Sequence, residues 1–201
     1  MEKITIRIRT TVAENEGTGK QEDLVITCDS GTPGETLIPH FGSLPGTLVA
    51  IKVNNEILSL SERLDVNAVV EPILLETHEG AVIYRRSLAF LLAVAARELF
   101  PNRRLYVGHS LGRSYYYTFF DGKNPEPQEI ELLAKRMRSL AENDTPITNH
   151  YVAYAEALEL FEKNNQDDTA LLLTERSEPK VLVNQCGGFN DLYIAPLLHR
   201  T

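Results

Sequence analysis

Five residues, GHSLG at positions 108–112, match the G-x-S-x-G pattern that places a nucleophilic serine on a sharp strand-to-helix turn in α/β-hydrolases. A helix must follow that serine, because the helix N-terminus supports the oxyanion hole. Here the motif is followed by RSYYYTFF, whose aromatic residues and threonine favour a strand. The sequence therefore predicts a β-hairpin at GHSLG, and a serine hydrolase that uses Ser110 is the weakest functional hypothesis.

A second motif, GTGKQ at positions 17–21, falls short of a phosphate-binding P-loop. The pattern G-x-x-x-x-G-K-[ST] needs a glycine where Glu14 stands and a hydroxyl residue where Gln21 stands. The chain has no dinucleotide-binding fingerprint and no C-x-x-C pair, and His78 and His150 have no partner at metal-ligand spacing. The sequence thus predicts neither a cofactor nor a metal site in this segment.

Charge and composition limit the classes of partner. The net charge is −8 and the pI is near 5.2, which argues against DNA and against broad non-specific binding to nucleic acid. No apolar run reaches the length that a membrane span needs. Two cysteines, Cys28 and Cys186, do not form a disulfide framework, so we expect a cytoplasmic protein.

Hydrophobic patterning predicts an α+β chain with two domains, residues 1–78 and 79–201. ITIRIRT and DLVITCD alternate as strands, and LVAIKVNNEILSL predicts two strands around an Asn-Asn turn, which together suit a small β-grasp domain. The second domain begins with the helical stretch RSLAFLLAVAARELF, which Pro101 ends. Further helices are predicted over NPEPQEIELLAKRMRSLAEN, capped by Asn124, and over HYVAYAEALELFEKN. TALLLTE and KVLVNQC are predicted to be strands.

Five segments in this order resemble the N-terminal region of threonyl-tRNA synthetases. They are TLVAIKVNNEILSL, RSLAFLLAVAARELFP, YVGHSLGRSYYYTFF, EIELLAKRMRSLAENDTPI and VLVNQCGGFND. The resemblance implies an N-terminal β-grasp domain of the TGS type. It further implies a threonyl/alanyl-tRNA synthetase editing-like α+β domain with an antiparallel sheet and flanking helices.

The resemblance also identifies the positions of the editing site, which hydrolyses mischarged aminoacyl-tRNA through H-x-x-x-H and C-x-x-x-H motifs. In this chain those positions hold Arg86, Phe90, Cys186 and Asn190, and Asn184 replaces an acidic residue. Arginine stays charged at neutral pH and phenylalanine carries no proton, so neither can act as a general base. We therefore expect that the hydrolytic chemistry is lost.

A TGS domain followed by a degraded editing motif is similar to the N-terminal half of uridine-kinase-like nucleoside kinases. That resemblance implies a regulatory or ligand-binding segment of a longer protein, whose P-loop kinase domain, with ATP and Mg, lies beyond Thr201. A cleft formed by His109, Arg113 and Tyr117, with Asn184 and Cys186, is expected to bind a nucleotide, a phosphate or RNA. The alternative is an aminoacyl-tRNA deacylase with a rebuilt site.

Overall fold

The structure, a computed structural model, describes residues 2–12, 20–112, 114–175, 178–193 and 195–201. The candidate residue Arg113 lies outside these ranges. So do Glu14 and residues 17–19, which begin the GTGKQ motif. Within the described ranges, the sheets are almost entirely antiparallel and occur together with helices, so the predicted α+β class is confirmed. Among the described residues, no helix is both long and apolar enough to cross a membrane.

The N-terminal part is built on a five-stranded sheet. The strands of this part are β1 (Lys3–Val12), β2 (Lys20–Asp29), β3 (Thr32–Pro33), β4 (Leu48–Val53), β5 (Glu56–Leu58), β6 (Arg63–Leu64) and β7 (Ala68–Leu74). The order in the sheet is β2-β1-β7-β4-β5, with β1 antiparallel to β2 and parallel to β7, while β3 pairs with β6. A 3₁₀ helix (Gly34–Phe41) lies against one face of this sheet.

Strict alternation in β1 produces the core of this part. Ile4, Ile6 and Ile8 are buried because alternate residues of a strand point to the same face, and they belong to one core with Leu37 and Phe41 of the 3₁₀ helix. The predicted Asn-Asn turn between β4 and β5 is confirmed. Both asparagines have positive φ, 47° and 73°, as a two-residue turn of type I′ requires.

The C-terminal part contains, in its described residues, a three-stranded antiparallel sheet, a separate hairpin and four helices. Its elements are α1 (His78–Leu99), β8 (Leu105–Leu111), β9 (Ser114–Phe119), α2 (Pro127–Glu142), β10 (Ile147–Ala153), α3 (Tyr154–Lys163), α4 (Asp167–Thr174), β11 (Lys180–Cys186) and β12 (Phe189–Asp191). The sheet order is β10-β11-β12, and β8 pairs with β9. GHSLG therefore ends a hairpin strand, which confirms the predicted hairpin.

Two predicted elements are wrong. TALLLTE forms helix α4, in which Ala170 and Leu173 are buried while Leu171 and Leu172 are exposed, a helical spacing that overrides the strand propensity of the segment. The start of HYVAYAEALELFEKN is not helical, because residues up to Ala153 pair with β11 in the sheet. Long-range strand pairing decided this second case, and local sequence carries little signal of it.

The ends of the two long helices follow their local chemistry. The hydroxyl of Thr77 accepts a hydrogen bond from the Gly80 amide at 3.1 Å and caps α1, which ends before Pro101 as predicted. The predicted cap of α2 at Asn124 is wrong. Glu126 and Glu129 form a reciprocal capping box there, while Asn124 accepts a hydrogen bond from Tyr116.

Candidate functional site

Phe90, at one of the two positions where the resemblance implies histidines, belongs to a buried aromatic cluster. Phe90 on α1 is fully buried, and its ring centroid lies 5.7 Å from that of Phe189 and 5.4 Å from that of Tyr193. The tight turn between β11 and β12, where Gly187 has a φ of 57°, brings Phe189 to this position. We call Phe90, Phe189 and Tyr193 the aromatic cluster. The interaction is aromatic packing, and the two phenylalanine rings carry no titratable proton.

Arg86 lies one helical turn before Phe90 and fastens the C-terminal segment to α1. Its guanidinium donates a hydrogen bond to the carbonyl of Pro196 at 3.2 Å. The neighbouring Ser87 hydroxyl accepts one from the Leu198 amide at 2.8 Å. Burial raises the pKa of the Tyr193 phenol, and nearby Asp191 raises it further, although the charge of Arg86 opposes this. Arg86 therefore has a structural role, and the Tyr193 phenol stays protonated at neutral pH.

The thiol of Cys186 is part of the hydrophobic core. It is buried in one cluster with Leu133, Leu140 and Ile147. Burial is the largest cause that raises its pKa, Glu98 adds to the effect, and Arg136 opposes it. Since the thiolate is the nucleophilic form, a buried thiol with a raised pKa is poorly reactive at neutral pH.

The two asparagines at editing positions make structural hydrogen bonds. Asn184 is buried, and its amide nitrogen donates to the Tyr193 carbonyl at 3.4 Å. The Asn190 carbonyl accepts a bond from the Gln166 side chain at 2.8 Å. Both contacts fix the segment that carries the aromatic cluster.

The hairpin candidates on β8 and β9 have different surroundings. Tyr117 lines an apolar groove of about 340 Å³ against α2, and burial, with a smaller contribution from Tyr115, raises its pKa. His109 instead stacks on Tyr116, with ring centroids 5.6 Å apart and an angle of 18°. His109 does not line the groove, but Tyr116, on which it stacks, lines the groove together with Tyr117. Their roles as ligand-binding residues stay predictions.

A second cavity, of about 160 Å³, lies beside the aromatic cluster. Three arginines line it, and all have protein partners: Arg97 donates to backbone carbonyls, Arg103 pairs with Asp121 and Glu129, and Arg104 contacts Asp168. We call it the arginine-lined cavity. No group of three His, Cys, Asp or Glu side chains within the described ranges could hold a metal ion.

Asp191, which sequence reasoning missed together with Phe189 and Tyr193, also lines this cavity. One carboxylate oxygen accepts hydrogen bonds from the Leu192 amide at 2.8 Å and the Thr169 hydroxyl at 3.3 Å. Burial raises the pKa of Asp191 to about 6, against 3.8 in an exposed chain, and the two hydrogen bonds only partly oppose this. The sequence shows Phe189 and Asp191 in GGFND. It does not show that they are buried, because their burial depends on helices far away in the chain.

Replacing Asp191 with asparagine is expected to stabilise the protein at neutral pH by about 1–2 kcal/mol. The folded carboxyl binds its proton more tightly than the unfolded one, so stability falls as pH rises from about 4 to about 6. An amide keeps the acceptor oxygen without the charge. Urea unfolding of both proteins should show the gain near pH 7 and little gain near pH 4. An equal gain at both pH values would contradict the raised pKa.

The comparisons with known proteins point to threonine–tRNA ligases. No family model matches the chain. The ligase of Desulforamulus reducens is 33% identical over 150 residues, which is 74% of this chain and 24% of the ligase. The ligase of Symbiobacterium thermophilum is 30% identical over 154 residues, 76% of this chain and 24% of the ligase. The ligase of Acidithiobacillus ferrooxidans is 31% identical over 166 residues, 81% of this chain and 26% of the ligase.

These relatives support the predicted resemblance to a TGS and editing-like region. The mixed α+β architecture, with several sheets and flanking helices, agrees with it. The chain spans about a quarter of the length of the relatives it matches. Over about three quarters of its own length, the chain is similar to one region of these threonine–tRNA ligases.

Proposed function

We propose that the chain is a threonyl-tRNA synthetase-related region that binds RNA and does not hydrolyse aminoacyl esters. One observation carries the loss of hydrolysis, which is the buried packing of Phe90 against Phe189 and Tyr193. Phe90 stands at one of the two positions where the resemblance implies histidines, and its ring is packed among apolar groups with no exposed surface. The similarity to threonine–tRNA ligases supports RNA as the partner.

The other groups at the editing positions support the same conclusion. Hydrolysis of an ester needs a group that takes a proton from water near neutral pH. The guanidinium of Arg86 is always protonated, and the amide of Asn190 does not titrate. The Cys186 thiol has a raised pKa and belongs to the hydrophobic core. None of these groups meets the requirement.

A nucleoside kinase as the parent protein has no support in these comparisons. The three relatives described above are all threonine–tRNA ligases. ATP and Mg, which were expected only in a downstream kinase domain, therefore have no place in the proposal. A role connected with tRNA replaces the kinase as the main hypothesis.

RNA binding is tested by fluorescence anisotropy with an RNA hairpin that ends in a single-stranded 3′ extension. We expect binding with a Kd of about 1–100 µM that weakens as salt rises. A DNA hairpin of the same sequence is the control and should bind more weakly, since it lacks the 2′-hydroxyl groups. Absence of RNA binding at low salt would contradict the proposal.

The second candidate function is an aminoacyl-tRNA deacylase with a rebuilt site, and the similarity to threonine–tRNA ligases favours it. Such a site needs a new base. Asp191, with a pKa of about 6, comes closest among the groups described, although it faces the arginine-lined cavity. This candidate requires that the chain accelerates ester loss, and that Asp191→Asn, Cys186→Ala or His109→Ala abolishes the acceleration.

A further inference from the structure

The outward face of the β8–β9 hairpin carries exposed aromatic rings. Tyr106 is 53% exposed, Tyr116 39% and Phe120 66%, and His109 is exposed beside them. Residues on the inward face, such as the fully buried Phe119, pack toward Phe100 at the end of α1. We call Tyr106, His109, Tyr116 and Phe120 the aromatic face. Large apolar rings at the surface of a monomer often mark a binding site.

The backbone of β8 arranges these rings. The register shifts between Val107 and Ser110, so that both Gly108 and His109 lie opposite Tyr116. A Cβ atom on Gly108 would lie 3.1 Å from Cδ1 of Tyr116 and 3.9 Å from Cε1 of Tyr106. The glycine thus lies between the two tyrosine rings, where a side chain would crowd them. The rings of Tyr106 and Tyr116 are therefore exposed to solvent, and His109 stacks on the ring of Tyr116.

Two contacts restrict the motion of these rings. The Tyr116 hydroxyl donates a hydrogen bond to the Asn124 side chain at 2.9 Å. The guanidinium of Arg104 lies 5.5 Å from the Phe120 ring centroid, as in a cation–π contact. A ring that is already held loses little conformational entropy when a planar ligand stacks on it.

The chemistry of the aromatic face matches unpaired nucleotides. Bases stack on aromatic side chains, and nearby cations attract the phosphates. The guanidinium of Arg104 lies beside the face, over Phe120, although Asp168 also contacts it. Lys123, which is exposed, directly precedes Asn124, the hydrogen-bond partner of Tyr116. The rings of Tyr106 and Tyr116 expose π-surface on which bases can stack, and their hydroxyl groups can hydrogen-bond to a polar ligand.

We propose that the aromatic face binds two or three unpaired bases of single-stranded RNA. This inference rests on the proposed RNA-binding function and names the surface that performs it. It places the RNA on exposed rings of the hairpin and not on Phe90, which is fully buried. The presence of a buried Phe90 at the editing position therefore does not prevent RNA from binding.

The test uses the full chain and a fluorescein-labelled RNA of about eight nucleotides without secondary structure. Tyr106→Ala and Tyr116→Ala are each expected to weaken the Kd by about tenfold, because one stacked base is lost. Tyr116→Phe keeps the ring and should change the Kd by less than about threefold. Tyr151→Ala, at a tyrosine 66% exposed on β10, is the matched control and should leave the Kd unchanged. Circular dichroism establishes that each variant is folded.

The protein contains no tryptophan and eight tyrosines, so tyrosine fluorescence gives a second readout. Stacked bases should quench it in the unaltered chain and less in the Tyr116→Ala variant. If RNA binds with equal affinity to the unaltered chain and both alanine variants, this inference is wrong, while the RNA-binding proposal stands. Failure of the unaltered chain to bind either RNA probe overturns both. Capture of a protein through these tyrosines, without RNA binding, also overturns the inference.

Discussion

Replacement of Phe90 with alanine is expected to lower the free energy of unfolding by about 3–5 kcal/mol. The side chain is fully buried and contacts two other rings, so its removal loses apolar burial and leaves a cavity in the centre of the aromatic cluster. Urea unfolding followed by circular dichroism measures the loss. Phe120→Ala removes the same side chain from a surface position and should change stability by less than about 0.5 kcal/mol.

A Phe90→His variant restores the residue type that the resemblance implies at this position. We expect it to be destabilised, because an imidazole would be buried among apolar groups without an assured hydrogen-bond partner. It should not gain hydrolytic activity, since the position one turn earlier still holds Arg86. A variant as stable as the unaltered chain would show that the position tolerates a polar group and would contradict our description of the cluster.

Gly80→Ala is expected to cost about 1–3 kcal/mol, although alanine normally favours a helix over glycine. A Cβ at this position would lie 2.0 Å from the carbonyl oxygen of Leu74 and 2.6 Å from its carbon. Both are backbone atoms at the end of β7, so the first turn of α1 would have to move as a unit. A lower thermal midpoint and a lower urea midpoint should both report the change.

Gly188→Ala is the matched control for Gly80→Ala. Nothing lies within 4 Å of a Cβ at Gly188, and its φ is not in the left-handed region. We expect a change smaller than about 0.5 kcal/mol. Equal stability of the Gly80→Ala protein and the unaltered chain would mean that α1 and β7 do not approach as closely as the structure indicates.

Local patterns predicted much of the fold. Alternation in ITIRIRT identified β1 and its buried isoleucines, and Pro101 marked the end of α1. The predictions failed where pairing with a strand far away in the chain determines the secondary structure. Ile147–Ala153 is a strand because β11 pairs with it, although its alternation is weak. TALLLTE was ambiguous because short apolar runs suit helix and strand alike.

The sequence predicted the elements that carry the candidate residues but not how their side chains pack. The resemblance led to Phe90 and Cys186, which lie on the elements expected for them. That Phe189 and Tyr193 pack against Phe90 depends on the turn at Gly187 and on the hydrogen bond from Asn184, which join residues far apart in the chain. The stacking of His109 on Tyr116 occurs at a register shift in β8 that sequence patterns do not reveal.

The rate of ester loss from a mischarged aminoacyl-tRNA tests the central claim most directly. Threonine tRNA carrying serine is the suitable substrate, since serine differs from threonine by only one methyl group, a difference that binding alone discriminates weakly. With protein in excess, we predict the same rate of serine release as in buffer and as with the Cys186→Ala variant. An acceleration of about tenfold or more would contradict a filled, non-hydrolytic site, and Asp191→Asn, Cys186→Ala and His109→Ala would identify the group responsible.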